Sequence, residues 1–250
     1  MTLAEAIAGF LDSLTQKSST LAQQRQAYEQ ATLLLTEYFS PSLQLNEMTE
    51  ARLRDFLARW YLERICTSTL KSAESVALSV SSIREEPHEL PAPQQLLTSM
   101  SGFFLWADNH FAHELAARCS QTLTELGETL PRAIEITRLL SKSIRERRGA
   151  FGFPEFLTSF EEGGHSEYDI DTPGDVGALE GYFRIIRVAG TLIEGEDLIS
   201  EERVWPIVFP LEIAALLDRS YVINLELVRT KQGWEIADCG FAYPPGTEIG

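Results

Sequence analysis

The chain has 250 residues, 44% of them hydrophobic and 23% charged, and its 21 Lys and Arg against 37 Asp and Glu give a formal net charge of −16. This composition suits one large or two ordinary globular domains and excludes the low-complexity and fibrous classes. No apolar run reaches the roughly 18–20 residues needed to span a bilayer, and the N-terminal stretch MTLAEAIAGFLDSL, with an acid at Glu5 and no basic segment, reads as an amphipathic helix rather than a signal peptide.

Cys66, Cys119 and Cys239 lie far apart with no CxxC pair, so neither a zinc knuckle nor a disulfide framework is expected, and a reducing cytoplasm is the simplest location. The charge is uneven. Residues 1–150 carry 15 basic and 18 acidic side chains, and residues 151–250 carry 6 and 19. Polyanions are held by Lys and Arg that displace condensed counterions, so only the first part is a candidate for touching DNA.

Leu3, Ala6, Ile7, Phe10, Leu11 and Leu14 recur at helical spacing and predict a first amphipathic helix. A second is expected from Thr20, with Thr20 and Gln23 as a capping box, carrying Leu21, Tyr28, Ala31, Leu35 and Tyr38 or Phe39 on one face until Pro41 ends it. A third follows Thr49, with Glu50 in its first turn, and buries Leu53, Phe56, Leu57 and Trp60. SIREEPHELPAP reads as a loop, after which a helix rich in Leu96, Leu97, Met100, Phe103, Phe104 and Trp106 is expected from Gln94 to about His113. Two more helices are expected near 114–127 and, with Pro131 at an N-terminal position, over 131–147.

The second half reads differently. GYFRIIRVAGTLI and VWPIVF are apolar, β-branched runs bounded by Gly, Pro and charge, and LEIAALL is a helical turn. YVINLELVR, TKQG and WEIADCGFAYP then predict a hairpin with a glycine-containing turn. About four strands and a short helix suggest a small barrel or an α+β unit.

The succession LAEAIAGFLDSL, SSTLAQQRQAYEQATLLLTEYF, MTEARLRDFLARWY and LLTSMSGFFLWADNHF resembles the N-terminal core-binding, SAM-like domain of phage integrases and tyrosine recombinases. The points of likeness are Tyr28 in mid-helix, the Arg54-Asp55-Phe56-Leu57 stretch after a threonine, and Phe103, Phe104 and Trp106 on a later helix. The likeness covers residues 1 to about 120 and implies a DNA-binding helical bundle. It also implies a catalytic domain with two arginines, a lysine, a histidine and a nucleophilic tyrosine around the scissile phosphate. The His-x-x-Arg signature of that domain is absent, since His88, His110, His113 and His165 are followed three positions on by Pro91, His113, Ala116 and Tyr168. Strand transfer is therefore not expected, and Tyr168, Tyr182, Tyr221 and Tyr243 read as structural.

Other chemistry has thin support. His110 and His113 lie three apart with Glu114 beside them but without a third recognisable ligand, so an exposed or capping role is expected. DIDTPGDVGALE places Asp169, Asp171, Gly174 and Glu180 at calcium-loop positions, yet Pro173 stands where an oxygen ligand belongs, so a solvated linker is expected. No Walker loop, GxGxxG, GxSxG or HExxH occurs. The dense cationic run Arg145, Arg147, Arg148 admits three readings: a phosphate contact, a solvated helix end, or docking onto the acidic C-terminal part.

The expected fold is α+β: an all-helical SAM-like bundle over 1–150, an acidic linker over 151–178, and a small β-rich domain over 179–250. The expected function is that of a non-catalytic integrase-like protein with no metal and no cofactor, binding DNA or a recombination complex through its helices. Its candidate DNA contacts are Lys17, Arg25, Arg52, Lys71, Arg145, Arg147 and Arg148. The alternative is a protein–protein interaction scaffold without DNA binding. Net charge disfavours DNA, a protein partner is expected, and a membrane is not.

Overall fold

The computed structural model describes residues 1–15, 22–68, 90–111, 114–150 and 177–249. An N-terminal helical region precedes a five-stranded sheet, and the chain divides into two compact units, Met1–Arg132 and Ala133–Ile249. This is the α+β organisation that the hydrophobic periodicities predict.

In the first unit, helix α1 (Leu3–Thr15) buries Leu3, Ala6 and Phe10. A capping box starts it: the Thr2 N–H donates to Glu5 Oε2 at 2.9 Å and the Glu5 N–H donates to Thr2 Oγ1 at 3.2 Å. Helix α2 (Ala22–Tyr38) buries Ala27, Ala31, Leu34 and Leu35, while the capping pair expected at Thr20 and Gln23 lies outside the described residues and side chains. Helix α3 (Glu50–Asp55) begins where Thr49 Oγ1 accepts the Arg52 N–H at 3.3 Å, as its sequence predicts. It runs on through a π-helical turn, Phe56–Tyr61, and stays helical over residues 62–68. Phe56, Leu57 and Tyr61 are fully buried, and Trp60 is half-buried, stacked on Phe56 at 5.5 Å. Helix α4 (Pro93–Phe111) packs against α1 and α2 around Phe10, whose ring lies 4.9 Å from Tyr28 and 5.4 Å from Phe103.

Helix α5 (Leu115–Ala150) corrects the sequence reading. Two helices divided before Pro131 are expected, and one helix runs through that proline instead. Leu126, Leu130, Ala133, Ile136, Leu140 and Ile144 are all buried, so one apolar stripe continues in phase on both sides of Pro131. The division between the units falls inside this helix, after Arg132. The boundary read at residue 150 therefore does not coincide with it, because residues 133–150 belong with the barrel. Of the expected linker, residues 151–176 lie outside the described residues.

The second unit is a closed barrel of β1 (Ala178–Ala189), β2 (Leu192–Asp197), β3 (Arg203–Val208), β4 (Val222–Thr230) and β5 (Gly233–Tyr243) in the order β1-β2-β3-β5-β4. All neighbours are antiparallel except β3 and β5, and a helical turn α6 (Leu211–Ala214) lies between β3 and β4. Because β5 stands between β3 and β4, the chain crosses over between β3 and β4 instead of pairing them. The apolar run 181–193 is a hairpin rather than one strand. Ala189 pairs with Leu192 across Gly190 and Thr191, and Gly190 takes a φ of +63° that a β-branched residue in the run would resist. The hairpin expected around TKQG is present, with Thr230 paired to Gly233. Gly233 has a φ of +134°, and a Cβ there would meet the Pro206 carbonyl oxygen at 2.7 Å, so β3 and β5 approach through a residue without a side chain.

The parallel contact of β3 with β5 is short, Ile207 with Trp234 and Val208 with Glu235. Towards its C-terminal end β5 meets the second half of α5. The buried Thr137 hydroxyl accepts the Ala242 N–H at 2.8 Å while donating to the Ala133 carbonyl at 3.0 Å. Arg148 pairs with Asp238 at 2.8 Å, and Ser141 Oγ lies 4.0 Å from Cys239 Sγ. A strand edge is thus covered by a helix that satisfies one of its buried N–H groups.

A proline inside a helix removes one backbone hydrogen bond and crowds the carbonyl four residues back. If α5 is continuous, Pro131→Ala raises stability by about 1–3 kcal/mol in urea unfolding followed by circular dichroism. A neutral or destabilising effect is what a helix starting at Pro131 would give, and would refute the continuous helix.

Candidate functional site

The outer face of β1, β2 and β3 gathers three ion pairs and a cation–π contact. Strict alternation would send Arg184 and Arg187 to opposite sides of β1. A register shift between Ile185 and Arg187 instead leaves both exposed while Phe183 and Ile185 point into the barrel. On β2, Ile193 is buried and Glu194 and Glu196 face outward; on β3, Val204 and Ile207 are buried and Arg203 and Trp205 face outward.

The pairing register then makes a ladder. Arg184 Nη1 lies 3.3 Å from Glu196 Oε2, and Arg187 Nε lies 3.1 Å from Glu194 Oε2, each with its direct cross-strand partner. Glu194 also receives Arg203 at 3.8 Å, so one carboxylate with only 17% of its side chain exposed is shared by two guanidinium groups. The Arg187 guanidinium lies 4.4 Å from the centroid of the Trp205 ring, and Trp205 remains 40% exposed. The face thus offers three guanidinium groups, two carboxylates and an indole in a fixed arrangement.

A second feature belongs to the helical unit alone. An open cavity of about 690 Å³ lies between the end of α2 and the start of α3, lined by Tyr38, Phe39, Ser40, Ser42, Leu43, Glu47, Thr49 and Arg52. The Tyr38 hydroxyl donates to Asp55, which also pairs with Arg59 at 3.0 Å. Burial, together with that carboxylate, pushes the Tyr38 phenol up to about 12.

Five of the seven sequence-predicted DNA contacts lie among the described residues. Lys17 and Lys71 lie outside the described residues. Arg25 pairs with Glu29 at 2.7 Å on α2, and Arg52 stands at the cavity. On α5, Arg145 donates to the Ser141 carbonyl of its own helix at 3.2 Å, Arg147 is exposed, and Arg148 is engaged by Asp238. Of the three readings of that run, docking onto the acidic C-terminal part describes Arg148.

The other candidates are similarly placed. His110 Nδ1 donates to the Trp106 carbonyl at 2.8 Å and its ring stacks on Trp106 at 4.4 Å; His113 lies outside the described residues. No cluster of three or more potential metal ligands occurs among the described residues. Of the calcium-loop positions, Asp169, Asp171 and Gly174 lie outside them, and Glu180 is an exposed residue within β1. Tyr221 and Tyr243 are buried and Tyr182 is half-buried, while Tyr168 lies outside the described residues. No helix among the described residues is long and apolar enough to cross a membrane. No family model, curated protein or solved structure matches the chain.

Sequence reasoning missed the β1–β2–β3 ladder. Its signal was the alternation in LIEGED and RVWPIV, which puts Glu194, Glu196, Arg203 and Trp205 on the polar side of their strands. The contribution of Arg187 depends on a bulge that no residue pattern announces.

Burial pushes the Cys119 and Cys239 thiols up to about 11 from an ordinary value near 9. The native chain then keeps protons that the unfolded chain releases, so stability falls as pH rises from about 9 towards about 11. The urea midpoint is expected to be lower at about pH 10.5 than at about pH 7.5, and Cys239→Ser to show a smaller fall. An equal fall in both proteins would remove the thiol from the explanation.

Proposed function

We propose that the chain is a non-catalytic interaction protein, in which an integrase-like helical scaffold carries a barrel that docks a protein partner through the outer face of β1, β2 and β3. The observation that carries this reading is the Arg187–Trp205 stack within the ladder of Arg184, Arg203, Glu194 and Glu196. Tryptophan and arginine dominate binding hot spots, and groups already held in place lose little freedom when a partner arrives. The mixed charge favours a protein over a polyanion, because a phosphate backbone approaching these arginines also meets two carboxylates and the acidic remainder of residues 151–250. The non-catalytic part of the reading is supported by the missing His-x-x-Arg signature.

DNA binding through the helical unit is the second reading. It rests on the resemblance to the integrase core-binding domain and is favoured by one observation, the exposed Arg52 guanidinium beside the cavity.

Affinity capture from the native cell extract separates the two. Wild-type chain is expected to retain a protein that Trp205→Ala and Arg203→Glu, with unchanged circular dichroism, retain at least about tenfold less well. Salt-sensitive binding of a DNA duplex by the full chain, with no protein lost on either substitution, is the outcome that would sink the proposal.

A further inference from the structure

We propose that the cavity between α2 and α3 is a binding site for a small aromatic phosphate ester of the nucleoside monophosphate class. The site belongs to the helical unit and is independent of the barrel face. Its volume of about 690 Å³ lies within the range of small-molecule sites.

The cation at this cavity is unusual for its unit. Arg25, Arg54, Arg59 and Arg64 each pair with a carboxylate, namely Glu29, Glu125, Asp55 and Glu37, and Arg118 donates to the Asn46 carbonyl. The Arg52 guanidinium has no carboxylate or carbonyl partner among the described residues, although it lines a cavity shared by the three aliphatic hydroxyl groups of Ser40, Ser42 and Thr49.

Those hydroxyls have hydrogens to give. Thr49 Oγ1 accepts the Arg52 backbone N–H, which leaves its own O–H free to donate, and Ser40 and Ser42 share a single hydroxyl–hydroxyl hydrogen bond at 2.8 Å. One guanidinium and two available hydroxyl hydrogens make a donor set for a group with several acceptor oxygens at one centre, which describes a phosphate.

The remaining wall supplies the rest of the ligand. The Tyr38 hydroxyl is committed to Asp55, and its ring packs against Phe39 at 4.7 Å and Phe56 at 5.3 Å, so the tyrosine offers a fixed aromatic wall rather than an acid. Leu43 extends that wall. Glu47 accepts the Gln44 N–H through Oε2 at 3.1 Å, leaving Oε1 to take a sugar hydroxyl or an exocyclic amine, while repelling any second phosphate.

Titration of the full chain with AMP, adenosine, inorganic phosphate and a DNA duplex, followed by calorimetry, tests this directly. AMP is expected to bind about tenfold more tightly than either adenosine or phosphate alone. Arg52→Ala is expected to weaken AMP by about tenfold or more without moving the unfolding midpoint, Arg52→Lys to retain part of the affinity, and Lys231→Ala on the barrel to change nothing. Adenosine binding as well as AMP, or AMP binding unchanged in Arg52→Ala, overturns the proposal. Arg52-dependent binding of the duplex without binding of AMP also overturns it, in favour of a DNA contact.

Discussion

The structure depends on an apolar stripe that one helix carries into two cores. Leu126 and Leu130 lie before the division between the units and Ala133, Ile136, Leu140 and Ile144 after it, all within 4% of complete burial. Their spacing keeps them on one face of α5, so any break at Pro131 would swing half of them out of register. Proline in a helix interior costs about 3 kcal/mol, whereas each large apolar side chain buried is worth about 1.5–3 kcal/mol. Several such residues on each side outweigh one lost hydrogen bond. A local rule that favours a helix start at proline yields here to packing.

The same helix resolves a difficulty in the barrel. A barrel in which β3 and β5 pair over only two residue pairs leaves the β3-side edge of β5 largely without a strand partner, although β4 pairs with its other edge throughout. Thr137 answers the Ala242 N–H there, and its hydroxyl can do so because its own proton goes to the Ala133 carbonyl one turn back. The arrangement needs a small hydroxyl residue on the buried face of α5. A larger apolar residue at 137 would fill the space and orphan the backbone donor.

Much of the architecture was legible because it rests on local patterns. The α1 stripe, the Thr49 cap, the helix rich in Phe103 and Phe104, and the turn at Lys231–Gly233 each announce themselves over a few residues. Pro131 was misleading because the burial that overrides it is tertiary. The turn at Gly190 was hidden inside an apolar run whose composition suits a single strand as well as two. The candidate sites were less legible still. The barrel face needs a bulge and three strands in register, and the cavity needs Arg52 to be left without a carboxylate or carbonyl partner among the described residues, a property of neighbours rather than of sequence.

The two sites differ in how the chain treats its cations, and that difference bears on what each can recognise. With 21 basic side chains among 37 acidic ones, a lone arginine is surrounded by potential partners. On the barrel this is what happens: Glu194 sits between Arg187 and Arg203, and the guanidinium planes become rigid parts of a nearly balanced surface. Such a surface has little long-range attraction for an anion but high local structure, so selectivity there comes from fit at short range. At the cavity the opposite holds. The Tyr38–Asp55–Arg59 cluster satisfies Asp55 internally, Glu47 accepts the Gln44 N–H, and Arg52 keeps its charge available for something from outside. In a protein whose overall field repels anions, an anionic ligand has to be small and to gain its binding energy from close contact, since the approach itself is uphill.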